Sequence, residues 1–339
     1  MSSCCEVRHA GLGSGAVTRS RLYRNGVLEA EDVPASELSE YLRDDDLTVW
    51  VDLGDPTEDD LAKVAAELGL HELAVEDALQ SRQRAKVDEY DGHSYLTAYA
   101  VSLDTETRRL DTAELGVFIT PTAVITVRGG DRFDIDAVVR RWDDMAHLAK
   151  NGVGFLVHGL LDYVVDTHFD AVESLDGLVE ELEDLVFEER SRDTDMQRRT
   201  LALRKSLGTL RRVVLPMREV VNTLMRRDQG IVDSAMMPYY QDVYDHVLRA
   251  TEWTESLRDL IATIRETQLN IQSNRLNLIM KKVTGWAAVI AVPTAITGFY
   301  GQNVPYPGVG QPWGFVTSAV VIVVAAGGLY LLFKRRDWL

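Results

Sequence analysis

Near the end of the chain the stretch TGFYGQNVPYPG, Thr297 to Gly308, lies between two long apolar runs and carries no charge. Its oxygens are neutral. They belong to the backbone of Gly301, Pro305, Pro307 and Gly308 and to the side-chain amides of Gln302, Asn303 and, just beyond, Gln311. A loop that binds cations tightly would be expected to use carboxylates. Neutral oxygens suit a strongly hydrated ion such as Mg²⁺, which gives up its water reluctantly and is held through its shell. Contacts that weak also let the ion leave, as conduction demands. A plain turn rich in chain breakers has the same composition, so the reading depends on what leads up to the loop.

What leads up to it is a face. Asn277, Met280, Thr284, Ala287, Ala291, Thr294 and Gly298 recur three or four apart and therefore share one side of a helix. The side is small and weakly polar, while Val283, Trp286, Val289, Ile290 and Ile296 place bulk elsewhere. Small residues at this spacing serve either close helix packing or the lining of a pore. A stripe of uncharged polar residues further upstream, Ser256, Thr263, Thr267, Asn270, Asn274 and Asn277, favours the pore. One chain offers at most two such helices, so a pore requires a ring of identical subunits.

The elements that position this face are legible from hydropathy. Val283 to Tyr300 and Trp313 to Phe333 contain no charged side chain, and each is about as long as the ~17 to 25 residues that cross a bilayer as a helix. Lys281 and Lys282 precede the first span, and Lys334, Arg335 and Arg336 follow the second. The positive-inside rule then puts both termini in the cytoplasm, as in a multi-pass protein of the inner membrane. From Lys281 onward five bases oppose one acid, a net of +4, so the −17 of the whole chain becomes −21 over residues 1–280. Such a surface concentrates cations and disfavours nucleic acid. The first residues lack the apolar core of a signal peptide, and residues 1–18 read as a disordered arm holding both cysteines, Cys4 and Cys5. No Cys/His spacing suggests zinc.

Residues 19–150 read as an α/β domain. LTVWVDL and ELGVFITPTAVITVRG have the β-branched and aromatic enrichment of strands. DPTEDDLAKVAAELGL reads as a helix capped by Thr57 and ended by Gly69, and HELAVEDAL as a second, short one. Residues 151–237 read as an antiparallel helical hairpin, which the opposite charges of the acidic VEELEDLVFEER and the basic MQRRTLALRKSLGTLRRVV suit, although two solvated faces have the same pattern. From Pro238 apolar residues recur at Val243, Val247, Ala250, Leu257, Ile261, Ile264, Ile271 and Leu278, one packed stripe of a long helix. Residues 238–300 form a stalk that runs on into the first span, about 95 Å at 1.5 Å per residue. A loop (301–312), the second span (313–333) and a basic tail (334–339) complete the chain.

MKKVTGWAAVIAVPTAITGFYGQN, followed by a second span and KRRDWL, resembles the end of the CorA family of magnesium and cobalt channels, whose hallmark is a YGMN tetrad after the first span. WVDLGDPTEDDL, LGLHELAVEDALQSRQRAKVDEYDG and PYYQDVYDH are similar to further family motifs in the same order, so the resemblance covers nearly the whole chain from Val49. It implies an α/β cytoplasmic domain followed by long stalk helices and two C-terminal transmembrane helices, in a funnel-shaped homopentamer. It also implies a selectivity ring at Gly301, Gln302 and Asn303, of which Gln302 stands where the family has methionine. Family pore positions fall on Asn277, Met280, Thr294 and Gly298 of the derived face, with Met280 at a hydrophobic gate. Divalent sensing between neighbouring subunits is implied at Asp77 and Asp242, with Glu76, Asp166 and His246 as further ligands.

The resulting expectation is a passive channel for Mg²⁺, with Co²⁺ as a second cargo, in contact with the lipid bilayer, its own copies and divalent cations. Mg²⁺ is then both transported and regulatory, and no organic cofactor is expected. A zinc transporter of the same family and a non-conducting, membrane-anchored cation sensor are the alternatives. No GxxxxGK[ST] loop is present, and GLGSGAV at Gly11 lacks its lysine, so no ATPase or other enzyme activity is expected.

Overall fold

The computed structural model describes all residues except 1–16, 43, 45, 81–82, 131, 188–192, 227–229, 303–304, 306 and 339. Most of the expected N-terminal arm, with Cys4 and Cys5, lies outside the described residues. Those described form two compact units, one ending at Ala262 and the other running from Thr263 onward.

The first unit is built on a seven-stranded sheet: β1 (Val17–Arg24), β2 (Val27–Glu31), β3 (Leu47–Gly54), β4 (Lys86–Tyr90), β5 (His93–Asp104), β6 (Arg109–Ile119) and β7 (Ala123–Arg128). The order is β2-β1-β3-β7-β6-β5-β4. Neighbours are antiparallel except for the parallel pair β3 and β7. Side chains alternate across a strand, and β3 shows it. Val49, Val51 and Leu53 join Ile125 and Val127 in a core under α1 (Ala35–Tyr41), α2 (Glu58–Leu68) and α3 (Glu72–Leu79). Trp50 points the other way, edge-on to Trp142 of α4 (Ile135–Asp144). A Cβ on Gly159 would collide with the Trp142 indole, so a glycine there lets that ring lie against α5 (Val153–Phe187). α6 (Asp193–Leu224) packs on α5 and on the β5 and β6 strands.

Local chemistry sets the short helices. Thr57 caps α2 in a reciprocal box with Asp60, whose carboxylate is held below the usual range by the Thr57 hydroxyl and amide. Gly69 ends α2 in the left-handed conformation, at φ 68°. His71 caps α3 by accepting the Leu73 amide at Nδ1.

α7 (Met237–Tyr300) is a single helix of 64 residues. Its first turns pack on α5 and run antiparallel to α6: Tyr240 donates to the Gly154 carbonyl at 2.9 Å, Arg218 meets Tyr244, and Arg211 pairs with Glu255. The apolar stripe is buried at Val243, Val247, Ala250, Leu257, Ile261 and Ile264, but Ile271 and Leu278 are 43% and 53% exposed. Within one chain the packed stripe therefore ends at Ile264. Spacing tells which residues share a side, not whether another element covers it.

In the second unit α7 continues to Tyr300 and α8 (Pro312–Arg335) follows. Both are long and apolar enough to cross a membrane, and only 6% and 0% of their apolar windows are buried. Helices this apolar and this uncovered are not the core of a soluble protein.

His168 of α5 is fully buried, with Nε2 2.8 Å from the Tyr99 carbonyl, and burial pushes its pKa down to about 4. Unfolding returns it to about 6.5, so between those values the unfolded chain binds the extra proton. This contribution is complete above pH 6.5 and is lost as pH falls toward 4, at most about 3 kcal/mol. Thermal unfolding of the detergent-solubilised protein should show it: His168→Gln should flatten the loss of stability between pH 6.5 and 4. An unchanged slope would exclude this residue as its source.

Candidate functional site: an uncharged face in a span and carboxylates in the α/β unit

Asn277, Met280, Thr284, Ala287, Ala291, Thr294 and Gly298 are all exposed, Met280 66% so. On the same helix Gly285 is buried and Ala288, Val289, Val292, Pro293 and Ile296 are half-buried. At 3.6 residues per turn these two sets point to nearly opposite sides. α8 runs beside this part of α7, where Trp286 and Tyr330 bring their rings to 6.2 Å. Chain packing thus leaves the small, uncharged side open. Its lower end forms part of an open groove of about 580 Å³ with Asn274, Leu278, Lys281 and Trp338. Thr294 donates its hydroxyl to the Ile290 carbonyl at 3.1 Å, which satisfies the donor without a charge.

At the top of α7 the Gly301 amide closes the last turn on the Thr297 carbonyl at 2.8 Å, and Gln302 bonds Phe299. Gly301 and Gln302 are exposed. Asn303, the third residue expected in the selectivity ring, lies outside the described residues. The loop returns at Gly308, at φ 96°, against Gly314 of α8, where a Cβ on Gly314 would run into the Gly308 carbonyl. That close approach fixes where α8 begins.

The expected metal ligands fall into two groups in the first unit. Asp77 sits on α3 with both oxygens engaged: Oδ1 accepts from Gln83 at 3.0 Å and Oδ2 from Lys86 at 2.6 Å. Glu76 beside it accepts from Gln80. The second group gathers where α4, α5 and α7 meet. Asp166 and Asp162 share Arg141, at 2.6 and 2.8 Å. His246 lies 3.9 Å from Asp242 and edge-on to Phe169. Burial raises the pKa of Asp162, partly offset by Arg141, and burial lowers that of His158. Lys86, Gln83, Arg141, Asp162 and His158 were not among the expected site residues. No spacing rule links Lys86 on β4 to Asp77 on α3.

Among the described residues no three His, Cys, Asp or Glu side chains of one chain are placed to hold a metal ion. Asp242 has a 69% exposed side chain and Asp77 is partly exposed. Carboxylate oxygens are the hard ligands Mg²⁺ takes, one or two of them together with several retained waters.

Comparison with known proteins agrees with this architecture. The family model described as CorA-like Mg2+ transporter protein matches residues 45–335. The cobalt/magnesium transport protein CorA of Thermotoga maritima is 27% identical over 344 residues, covering 97% of each chain. The putative metal ion transporter YfjQ of Bacillus subtilis is 28% identical over 292 residues, 85% of this chain and 89% of that one. Among solved structures, the complete CorA magnesium transporter of Methanocaldococcus jannaschii superposes with a TM-score of 0.75 at 22% identity, covering 94% of this chain and 98% of its own. At that identity the likeness establishes the fold.

Proposed function

The chain belongs to the CorA-like Mg2+ transporter protein family, and on that premise we propose that it is a passive channel for divalent cations, Mg²⁺ first and Co²⁺ second, in the inner membrane. The observation that carries this reading is the exposed, uncharged side of α7 from Asn277 to Gly298, opposite its half-buried side. A membrane anchor or scaffold has no need to keep such a side small through a whole span. Five copies of the chain surround one axis, with these sides turned inward and both termini in the cytoplasm. A ring also covers Leu269, Ile271, Leu276 and Leu278, which one chain leaves exposed.

The hydrated ion meets neutral oxygens at Gly301, Gln302 and Asn303, passes Thr294 and Thr284, and crosses the constriction at Met280. Apolar side chains there gate by excluding water. The membrane potential supplies the driving force: ~2.3 kcal/mol per charge at 100 mV, or ~4.6 kcal/mol for a divalent ion.

Closure is governed by Asp77 and Asp242, with Glu76, Asp166 and His246 near them. Mg²⁺ bound between copies supplies positive charge that lets facing carboxylates approach. When cytosolic Mg²⁺ falls, their repulsion loosens the ring. The same residues therefore read the product of transport and limit it.

The test is uptake into liposomes under an imposed potential. Flux of Mg²⁺ should rise with the potential and stop as internal Mg²⁺ accumulates, and no divalent flux at low internal Mg²⁺ would sink the channel reading. Gln302, in place of the family's methionine, favours one alternative, zinc transport. Competition among Mg²⁺, Co²⁺ and Zn²⁺ in the same assay decides it, since a zinc transporter would take up Zn²⁺ first.

A further inference from the structure

Asp77 is not a bare carboxylate waiting for a metal. The Lys86 ammonium stands 2.6 Å from its Oδ2, and the same nitrogen is 2.7 Å from Asp88 Oδ2. Gln83 occupies the other Asp77 oxygen at 3.0 Å. Lys86 and Asp88 are two apart on β4, so their side chains leave the same side of this edge strand. That side faces the Asp77 carboxylate of α3, and all three side chains are only partly exposed. Burial works against the ammonium, but hydrogen bonds to Asp77 and Asp88 outweigh it, and Lys86 stays charged.

We propose that Lys86 is a tethered counter-cation that competes with a divalent ion for Asp77 and so sets how much cytosolic Mg²⁺ closes the ring. The proposal rests on the gating role assigned to Asp77 above. A charge-assisted hydrogen bond at this distance is strong, and an ion approaching Asp77 must either displace the ammonium or share the carboxylate with it. Asp88 makes displacement practicable, because Lys86 can release Asp77 while keeping a partner already within reach. The triad is then a built-in offset. In the absence of divalent ion the one ammonium is shared between two carboxylates, so each copy offsets Asp77 only in part and keeps a net negative charge that repels its neighbour, and only ion above a threshold takes the lysine's place.

Two substitutions test this in opposite directions, and two more serve as controls. Lys86→Gln removes the competitor, and the internal Mg²⁺ that halves liposome flux should fall by about tenfold, within the range of ordinary coupling between sites. Lys86→Arg keeps the charge and should restore a midpoint near that of the natural chain. Asp88→Asn leaves Lys86 with Asp77 alone and should raise the midpoint. Neutralising the exposed neighbour Arg84, as Arg84→Gln, should move it far less. The same midpoints should be read without transport, as the Mg²⁺ concentration that raises the melting temperature of the detergent-solubilised protein.

A Lys86→Gln midpoint that is unchanged or raised, while Asp77→Asn abolishes the Mg²⁺ response, overturns the competition and leaves the gating role standing. A full response in Asp77→Asn would overturn both.

Discussion

Replacing Ala291 by leucine is expected to cut divalent-ion flux by on the order of a hundredfold while leaving the protein folded and in the membrane. Leucine is a good helix former and is welcome in a bilayer-spanning segment, so neither folding nor insertion is at risk. In a ring every copy adds the same bulk at one level, and the hydrated ion meets an apolar constriction where it cannot exchange its water for protein oxygens. A hundredfold loss corresponds to about 2.7 kcal/mol on the barrier. The control is Val323→Leu on α8, a residue 70% exposed in the single chain and on a different helix from the proposed pore face. There the added methylene should change flux by less than twofold. Equal flux in both variants would mean that ions do not pass along the Ala291 side of α7.

The second large effect concerns closure. With Asp77→Asn and Asp242→Asn together, uptake should persist at internal Mg²⁺ that silences the natural chain, and the half-inhibiting concentration should rise by on the order of a hundredfold. The sign follows from charge. Neutral amides do not repel one another across an interface, but neither do they attract a divalent ion strongly, so closure loses its dependence on that ion. Measured as Mg²⁺ entry against preloaded internal Mg²⁺, unchanged inhibition would place the sensor elsewhere, with the Arg141 cluster of Asp162 and Asp166 the next group to probe.

Much of the fold was legible because its signals are local. The β3 strand, the Thr57 and Gly69 ends of α2 and the two apolar runs each follow from a few consecutive residues. β5 shows why other elements were not. Its first nine residues, His93 to Val101, are all buried, with α5 and α6 packed on the strand and Tyr95 in the core with residues of α2 and α3. A strand buried on both sides loses the alternation that identifies it. The edge strands β2 and β4 are five residues each and partly polar, too short to carry a period.

The candidate site divides along the same line. Spacing by itself assembled Asn277 to Gly298 on one side of a helix, since a helical period depends on nothing but the chain's own geometry. It could not say that the opposite side would be half-buried, that Ile271 and Leu278 would be left exposed in one chain, or that Asp77 would already hold a lysine. Those depend on which distant segments meet, and contact between β4 and α3 is decided by packing of the whole sheet. The sequence alone determined two uncharged spans, the polar loop between them and the face that leads to it. Only the tertiary structure decided which side of that face stays open and which cation the Asp77 carboxylate meets first, because exposure and ion pairing are properties of neighbours in space.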